Sequence, residues 1–193
     1  GAGALPAVTE LQLINMHVGD AGASALAAAL GRGALPRLKS LILCYTAIGN
    51  AGLVALAPAL RRRPALVHLD FRRSPLGNEG LAALVAPPPP AGALPTTTVG
   101  LKKLETLVLS CTQVTDAGCA TLASALDSGA LPALKRLTLD GTPASTAAKA
   151  AVYEARDTLE PDESDYESEE DEGEEDEEGD EEDEEGEDDG EVN

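Results

Sequence analysis

The residues best suited to chemistry lie in one short stretch, where His68, Asp70 and Arg72 alternate and Arg73 follows. On an extended strand, side chains two residues apart share a face, so the histidine and the carboxylate would be neighbours. Such a pair could orient a base for a nucleophile. The candidate nucleophiles are Ser40, Cys44, Ser110 and Cys111. No strained strand-turn-helix elbow accompanies any of them, so we predict that the chain is not an enzyme.

Metal and cofactor chemistry is not indicated either. The two histidines and three cysteines are scattered rather than grouped at zinc-ligand spacing. No GxxxxGK loop is present to hold phosphates. We therefore predict no metal and no cofactor. Three cysteines without a disulfide framework favour a reduced, intracellular setting, cytoplasmic or nuclear or both, and no apolar run reaches the roughly 20 residues of a membrane span.

The elements that must position these residues repeat along the chain. Leucine pairs recur in one register, at Leu11/Leu13, Leu41/Leu43, Leu69/Phe71, Leu107/Leu109 and Leu137/Leu139. Their first members are 30, 28, 38 and 30 residues apart. A self-similar period of this length is typical of a solenoid. We number the repeats one to five, at residues 5–34, 35–63, 65–93, 101–130 and 131–159.

Each repeat reads as a strand, a tight turn and a helix. In repeat four, Leu107 and Leu109 alternate as on a half-buried strand, whereas Gly118, Leu122 and Leu126 form one stripe of a helix. A cap-competent residue stands at each helix start, and we expect it to bond that helix's own first amides. These residues are Asp20, Asn50, Asn78, Asp116 and Thr146. A recurring glycine is expected to let the helix approach its strand. It is found at Gly22, Gly52, Gly80 and Gly118.

This pattern resembles the leucine-rich repeat family, LxxLxLxxNxLxxxGxxxLxxxL, over residues 5–156. The long repeat with a full helix is similar to the ribonuclease-inhibitor-like subtype, which includes the Ran GTPase-activating protein. The resemblance implies an α/β solenoid: a right-handed horseshoe segment of about five repeats, with a parallel inner sheet and outer helices. Where the family has asparagine, this chain has Met16, Thr46, Ser74, Thr112 and Thr142. Because a hydroxyl offers fewer hydrogen bonds than an amide, we expect a weaker turn ladder.

Several segments depart from the pattern. Pro58 predicts a kink or fraying in the second helix, and Pro87–Pro90 predict an early end to the third. The fifth helix is predicted at about 147–159. Residues 87–98 form an insertion, read as a spacer or alternatively as a proline-recognition ligand. The opening GAGALP matches the linkers between repeats. We therefore expect the sequence to begin at a repeat boundary of a longer array, with the first strand edge exposed.

Charge divides the chain into two parts. Of the 34 acidic residues, 24 lie at or after Glu160, whereas all 14 basic residues lie before it. We predict a repeat domain at 1–159 and a disordered acidic tail at 160–193. Ser164 and Ser168 precede acidic residues and are candidate phosphorylation sites. The tail could screen the basic residues Arg61–Arg63, Arg72 and Arg73, or it could only keep the chain soluble.

The residues flanking the buried leucines should face the concave surface, which solenoids use for binding. We predict a protein-binding patch there, centred on His68, Asp70, Arg72 and Arg73. The full set is Gln12, Ile14, Ile42, Cys44, His68, Asp70, Arg72, Arg73, Val108, Ser110, Thr138 and Asp140. The alternative is a solvated face with incidental charges. Nucleic acid is not favoured as a partner, because no aromatic residues interleave the arginines and the tail is acidic.

Three functions follow from these patterns. The resemblance to the Ran GTPase-activating protein implies a non-catalytic scaffold that binds a small GTPase and activates it without an arginine finger. A long acidic tail behind leucine-rich repeats also looks like the acidic leucine-rich nuclear phosphoprotein family, which implies a chaperone for basic proteins such as histones. The third is a repeat segment of a receptor or sensor, whose partner is unknown.

Overall fold

The computed structural model describes residues 7–86, 100–156 and 158–161. Five strand-helix units follow one another, and a two-residue strand comes last. The strands are β1 Glu10–Gln12, β2 Ser40–Ile42, β3 His68–Asp70, β4 Thr106–Val108, β5 Arg136–Thr138 and β6 Glu160–Pro161. The helices are α1 Gly19–Gly31, α2 Asn50–Arg61, α3 Asn78–Val85, α4 Asp116–Asp127 and α5 Thr146–Glu154.

The strands form one parallel sheet in chain order, β1 to β6. Leu11, Leu41, Leu69, Leu107 and Leu137 are register partners across five of them. The predicted register and the predicted α/β solenoid are therefore confirmed. In the first four pairs the second residue continues the ladder beyond the strand, as in the 2.8 Å bond from Leu13 N to Ile42 O.

The core lies between the sheet and the layer of helices. Leu107, Leu109 and the helical Leu122 are fully buried in repeat four, and their counterparts in repeats two, three and five are equally inaccessible. Burying one leucine contributes about 1.5–3 kcal/mol. Since each repeat packs on its sequence neighbours, the stability of the unit depends on the repeat-to-repeat interfaces.

The helix N-termini are capped across the repeat boundary, which corrects the expectation of caps within one repeat. Asp20 Oδ1 of repeat one accepts hydrogen bonds from Gly49 N at 2.7 Å and Gly52 N at 2.9 Å, both at the start of α2. In the same way Asn50 Oδ1 accepts from Gly77 N and Gly80 N, at 2.7 and 3.0 Å.

The same contact continues down the chain. Asn78 Oδ1 accepts from Thr115 N at 3.0 Å, and Asp116 Oδ1 accepts from Ser145 N at 2.6 Å. We call Asp20, Asn50, Asn78 and Asp116 the cross-repeat caps. Of the described helices, α5 alone has a side-chain cap of its own, because Ser145 Oγ accepts from Ala148 N. Each cross-repeat cap lies at the start of its own helix but satisfies the amides of the next one.

The recurring glycine makes room for the cap of the preceding repeat rather than for a strand. A Cβ atom on Gly52 would lie 2.5 Å from Asp20 Oδ1, and one on Gly118 would lie 2.5 Å from Asn78 Oδ1. On Gly80 it would lie 3.1 Å from Asn50 Oδ1. Close approach of the oxygen to the helix is therefore possible only without a side chain, and this replaces the predicted reason for these glycines.

The C-terminal boundary also differs from the prediction. The predicted fifth helix reaches residue 159, but α5 ends at Glu154, and Leu159 turns back into the core. Glu160 N then donates to Lys135 O at 2.8 Å, so β6 covers the free edge of β5. Glu160, the first residue assigned to the tail, thus belongs to the sheet. Pro161 is tolerated there because an edge strand can dispense with one N–H group.

Proline affects the helices unequally. The third helix ends at Val85, one residue short of the proline run, as predicted. Pro58 does not fray α2, which continues to Arg61, because the packing of Leu56 and Leu60 in the core outweighs one lost backbone bond. The proposed insertion at 87–98 and the acidic residues 162–193 lie outside the described residues.

Buried hydroxyls occupy four of the five positions that the family fills with asparagine, and the exposed Met16 occupies the first. Thr46, Thr112 and Thr142 each donate to the carbonyl three residues earlier, at 2.7–3.0 Å. Ser74 instead donates to Leu43 O of the preceding repeat at 2.9 Å. The three threonines thus close their own turns, whereas Ser74 links two repeats. A weaker ladder than an asparagine would provide remains a prediction.

Candidate functional site

The predicted concave residues differ greatly in accessibility. Those at the two ends of the sheet, Gln12, Ile14 and Asp140, are exposed. In the second and third repeats, Ile42, His68 and Arg72 are half-buried, and Arg73 is exposed. The remaining five are buried, namely Cys44, Asp70, Val108, Ser110 and Thr138. The structure therefore does not bring the twelve residues together as one accessible surface.

The buried members lie in the middle of the sheet. Val108 is the register partner of both Asp70 and Thr138, so it is flanked on each side at the spacing of about 4.8 Å between strands. Its side chain is only 1% exposed. The expectation that every second strand residue would be displayed is therefore wrong for these five residues.

The histidine-carboxylate stretch does not assemble a catalytic set. Asp70 Oδ1 accepts a hydrogen bond from Arg72 N at 2.8 Å. Burial and a hydrogen bond to Asp70 raise the pKa of the Cys44 thiol to about 12. Cys44 is therefore a thiol at neutral pH and a poor nucleophile, since the thiolate is the reactive form. The hydroxyl of Ser110 is buried and has no hydrogen-bond partner among the described residues, so no base activates it there.

One accessible feature was missed by the sequence reasoning. Two residues beyond the second core residue of each pair, the backbone enters the left-handed region, with φ between 53 and 63°. All five residues at this position are exposed. We call them the rim row: Asn15, Tyr45, Arg73, Cys111 and Gly141. Asn15 and Gly141 are residue types that favour this conformation and could have revealed the position, whereas Tyr45, Arg73 and Cys111 carry no such signal.

The rim row is held rigidly by the extended sheet ladder. Tyr45 N donates to Arg72 O and Arg73 N donates to Ser110 O, both at 2.9 Å. Cys111 N donates to Asp140 O at 2.7 Å. A non-glycine residue in the left-handed region costs about 1–2 kcal/mol. These backbone bonds hold three such residues in place, one per repeat.

Exposed aromatic, apolar and cationic side chains are found at the N-terminal end of the rim row. The Arg73 guanidinium lies over the Tyr45 ring, 5.2 Å from its centroid. A bond of 3.1 Å from Asn15 N to Cys44 O sets the first turn beside the second. Ile14, Met16 and Tyr45 are 48%, 51% and 46% exposed. We call Ile14, Met16, Tyr45 and Arg73 the rim patch.

The arginine cluster at 61–63 has a structural role. Arg61 Nη1 donates to Ala86 O at the end of α3, and Arg63 Nη2 donates to Leu30 O in the last turn of α1. Arg156 does the same for Leu126 O at the end of α4, at 3.4 Å. Burial lowers the pKa of both Arg61 and Arg63. Because they bind helix carbonyls, Arg61 and Arg63 are not simply displayed for phosphate groups.

A shallow groove lies on the helical side, between α3 and α4. Its volume is about 600 Å³, and small residues such as Ala82, Ala120 and Ser124 line it without any charged side chain. Of the two helices that flank it, α3 has 8 residues and α4 has 12. Few polar groups converge there, which gives a small ligand little to be oriented by.

Other predicted features are not described or not found in the described residues. Ser164 and Ser168 lie outside them. Within residues 7–86, 100–156 and 158–161, no group of three or more His, Cys, Asp or Glu side chains could hold a metal ion. No helix in this part of the chain is both long and apolar enough to cross a membrane.

Comparison with known proteins agrees with this fold. A family described as Leucine Rich repeat matches residues 64–85 and 100–123, which overlap repeats three and four. Among solved structures, 51 chains match. One is the leiomodin-1 actin-binding site 2, with a TM-score of 0.57, 16% sequence identity, and coverage of 78% of this chain and 80% of that one. No curated protein matches. These matches and the repeating fold together support a leucine-rich repeat protein.

Proposed function

We propose that this chain is a non-catalytic scaffold that binds another protein through the rim patch and the adjoining exposed ends of the concave face. The observation that supports it most is the stacked, solvent-exposed pair of Tyr45 and Arg73 on a rigid backbone. Tyrosine and arginine are among the residue types most enriched where a few side chains dominate interface energies. Ile14 and Met16 add apolar area beside them.

The backbone of the rim patch favours binding at a low entropic cost. Tyr45 and Arg73 are each fixed by a ladder hydrogen bond, and the ring and the guanidinium restrict one another. Groups that are ordered before association lose less freedom when a partner binds. The five buried concave residues, by contrast, offer little surface to a partner.

A small GTPase is our preferred partner, on the basis of the resemblance to the Ran GTPase-activating protein. The scaffold would activate it by holding its switch regions, without supplying an arginine finger. The alternative is a basic protein such as a histone, favoured by the 24 acidic residues at and after Glu160. Polyanionic segments attract basic proteins in a salt-dependent manner. Actin belongs in the same experiment because the leiomodin-1 structure is an actin-binding site.

The test measures binding of the full chain to a Ran-type GTPase loaded with a GTP analogue, to actin and to histones. We expect Arg73→Ala and Tyr45→Ala each to weaken binding of the GTPase by roughly thirtyfold, the effect of losing one dominant interface residue. Arg37→Ala is the matched control. Arg37 is exposed and precedes β2, so it lies at the N-terminal ends of the strands, whereas Tyr45 and Arg73 follow their C-terminal ends. It should change binding little.

The outcomes separate the partners. Binding of the GTPase that survives deletion of residues 162–193 and accelerates GTP hydrolysis supports the preferred proposal. Histone binding that disappears with the same deletion, with no GTPase binding, would replace it by the chaperone. If no protein binds, or if Arg37→Ala weakens binding as much as Arg73→Ala does, the rim patch is not the binding surface.

A further inference from the structure

The N-terminal end of the solenoid exposes positions that the other repeats bury. Val8, Leu11, Leu13 and Leu26 are only partly buried, although they pack against the core on one side. Their counterparts in repeat two, Leu38, Leu41, Leu43 and Leu56, are all 0% exposed. We call the four partly exposed residues the end face. Its apolar residues occupy the positions that form the repeat-to-repeat interface elsewhere, but among the described residues no repeat packs against their other side.

The backbone of the end face is also incomplete. The strand β1 pairs with β2 alone in the described sheet, so its other edge presents unpaired N–H and C=O groups. Ser40 N of β2 donates to Thr9 O at 3.0 Å, and Glu10 is the register partner of Ser40. The N–H of Glu10 therefore points to the open edge, where a preceding repeat would supply the carbonyl.

The two ends of the described unit are not equivalent. At the C-terminal end, β6 covers β5 and Leu159 is buried. At the N-terminal end, the described residues include no strand ahead of β1. An unfilled repeat-to-repeat interface is thus confined to one end.

The start of α1 retains a space for a cap that the described residues do not supply. Gly22 stands where Gly52, Gly80 and Gly118 make room for the oxygen of a cross-repeat cap, yet a Cβ on Gly22 would meet only the side chain of Val18. In the described part of the chain, no side chain caps α1. Gly22 N instead donates to Val18 O at 3.2 Å.

The backbone at the start of α1 also differs from that of the helices that receive a cross-repeat cap. Gly19 has a φ of +58°, whereas its counterparts Gly49 and Gly77 are extended, at −98 and −130°. Val18 has helical dihedral angles. Relative to its repeat, α1 thus begins one residue earlier than the helices that receive a cross-repeat cap.

We propose that the end face is a docking surface for one further leucine-rich repeat, placed ahead of β1. Its leucines would cover Leu11, Leu13 and Leu26, and its aspartate or asparagine would accept hydrogen bonds from Gly19 N and Gly22 N. The surface continues an interface that already joins the five repeats at four boundaries. A second copy of the chain is a poorer fit, because its own end face presents no side chain at the capping position.

The experiment supplies such a repeat in cis. Residues 101–128 of this chain are joined directly to Gly3 of the full chain, which reproduces the 30-residue step between Leu107 and Leu137. We expect the urea midpoint to rise and the amides of Glu10 and Gly22 to gain protection from hydrogen exchange. Glu10 reports the new strand pairing. Gly19, the counterpart of Ser145, and Gly22 report the new cap, since Asp116 accepts a hydrogen bond from Ser145 N. A cap of ordinary strength corresponds to about a fivefold gain at Gly22.

A matched control separates the effect of the cap from the effect of strand pairing and leucine packing. In the same fusion, Asp116→Ala is introduced in the added copy only. We expect Glu10 to keep its new protection, because the strands still pair and the leucines still pack, and Gly22 to lose it, because the cap is gone. If the added copy protects neither amide and leaves the urea midpoint unchanged, the end face does not accept a repeat and the proposal is wrong.

A variant on the receiving side makes the test independent of the added copy. In the chain alone, Gly22→Ala should leave the urea midpoint unchanged or raise it, since alanine favours a helix and only Val18 must move. In the fusion, the same change should abolish the gain in protection at position 22.

The alternative occupant of the end face is a second copy of the chain. Sedimentation of the chain alone tests it, because a dimer that Leu11→Glu breaks would assign the end face to a second copy and would overturn the proposal.

Discussion

Repeat one and repeat four have the same pattern of leucines, cap and glycine, but their surroundings differ. Repeat four lies between two neighbours, and its Leu107, Leu109 and Leu122 are fully buried. In repeat one, which has a described neighbour on one side, Leu11 and Leu13 remain partly exposed. The contrast shows that a repeat does not complete its own core. The same holds for polar groups, because the helix starts of repeats two to five depend on the side chain of the repeat before.

The largest expected effect compares equivalent leucines in these two repeats. Leu107→Ala should lower the free energy of unfolding by about 2–5 kcal/mol, because it leaves a cavity in a closed core. Leu11→Ala should cost less than half as much, since Leu11 is already partly exposed. Urea denaturation of both variants measures the difference. Equal losses would mean that the end face is as well packed as the interior.

Two helical glycines sharpen the comparison. Gly52→Ala should destabilise the fold by about 1–3 kcal/mol, because the new methyl would lie 2.5 Å from Asp20 Oδ1. Gly31→Ala places a methyl in open space at the end of α1 and should stabilise by about 0.5–1 kcal/mol. The direction in which the urea midpoint shifts shows whether each variant is more or less stable than the natural chain. A gain at Gly52 would show that the cap does not need this space.

The stacked pair on the rim patch should contribute less. A double-mutant cycle of Tyr45→Ala and Arg73→Ala is expected to give a coupling of about 0.5–1 kcal/mol, the value for an exposed cation-aromatic pair. The coupling should appear in the free energy of unfolding without any partner present. A coupling near zero would indicate that the ring and the guanidinium do not order each other, which would weaken the case for a rigid binding surface.

The smallest effect concerns pH. Hydrogen bonds from Ser145 N and Ser145 Oγ lower the pKa of Asp116 below its ordinary value of 3.8. The carboxylate therefore stabilises the fold above that value, and this stabilisation is lost as the pH falls through the lowered pKa. The difference in urea midpoint between the natural chain and Asp116→Asn should shrink as the pH is lowered from neutrality to below that pKa.

A difference that stays constant across this range would contradict the assignment. Because both chains share every other carboxylate, their background titrations cancel to first order. The effect is small because Asp116 is exposed to solvent, where charge interactions are screened.

Much of the fold could be predicted because it depends on the spacing of leucines. The pairs at Leu41/Leu43 and Leu107/Leu109 set the strand register directly, and the structure has the same register. The early end of α3 also followed from a local rule about proline. The leucine spacing of one repeat recurs in the next. The strand register can therefore be predicted without knowing how the repeats contact each other.

The capping pattern and the candidate site could not be predicted in this way. Asp20 looks like a cap for its own helix in the sequence, and only the stacking geometry directs it to Gly49 and Gly52. Likewise, alternation places Val108 on the concave face but does not reveal that its neighbours bury it. Tyr45 carries no local signal for its left-handed backbone, which is imposed by the ladder bond to Arg72.

Hydrogen exchange at the start of α2 tests the cross-repeat caps most directly. In Asp20→Ala, the amides of Gly49 and Gly52 should lose about fivefold in protection, while Gly80, capped by Asn50, should keep its own. Unchanged protection at Gly49 and Gly52, or an equal loss at all three amides, would contradict the claim that each repeat caps the helix of the next.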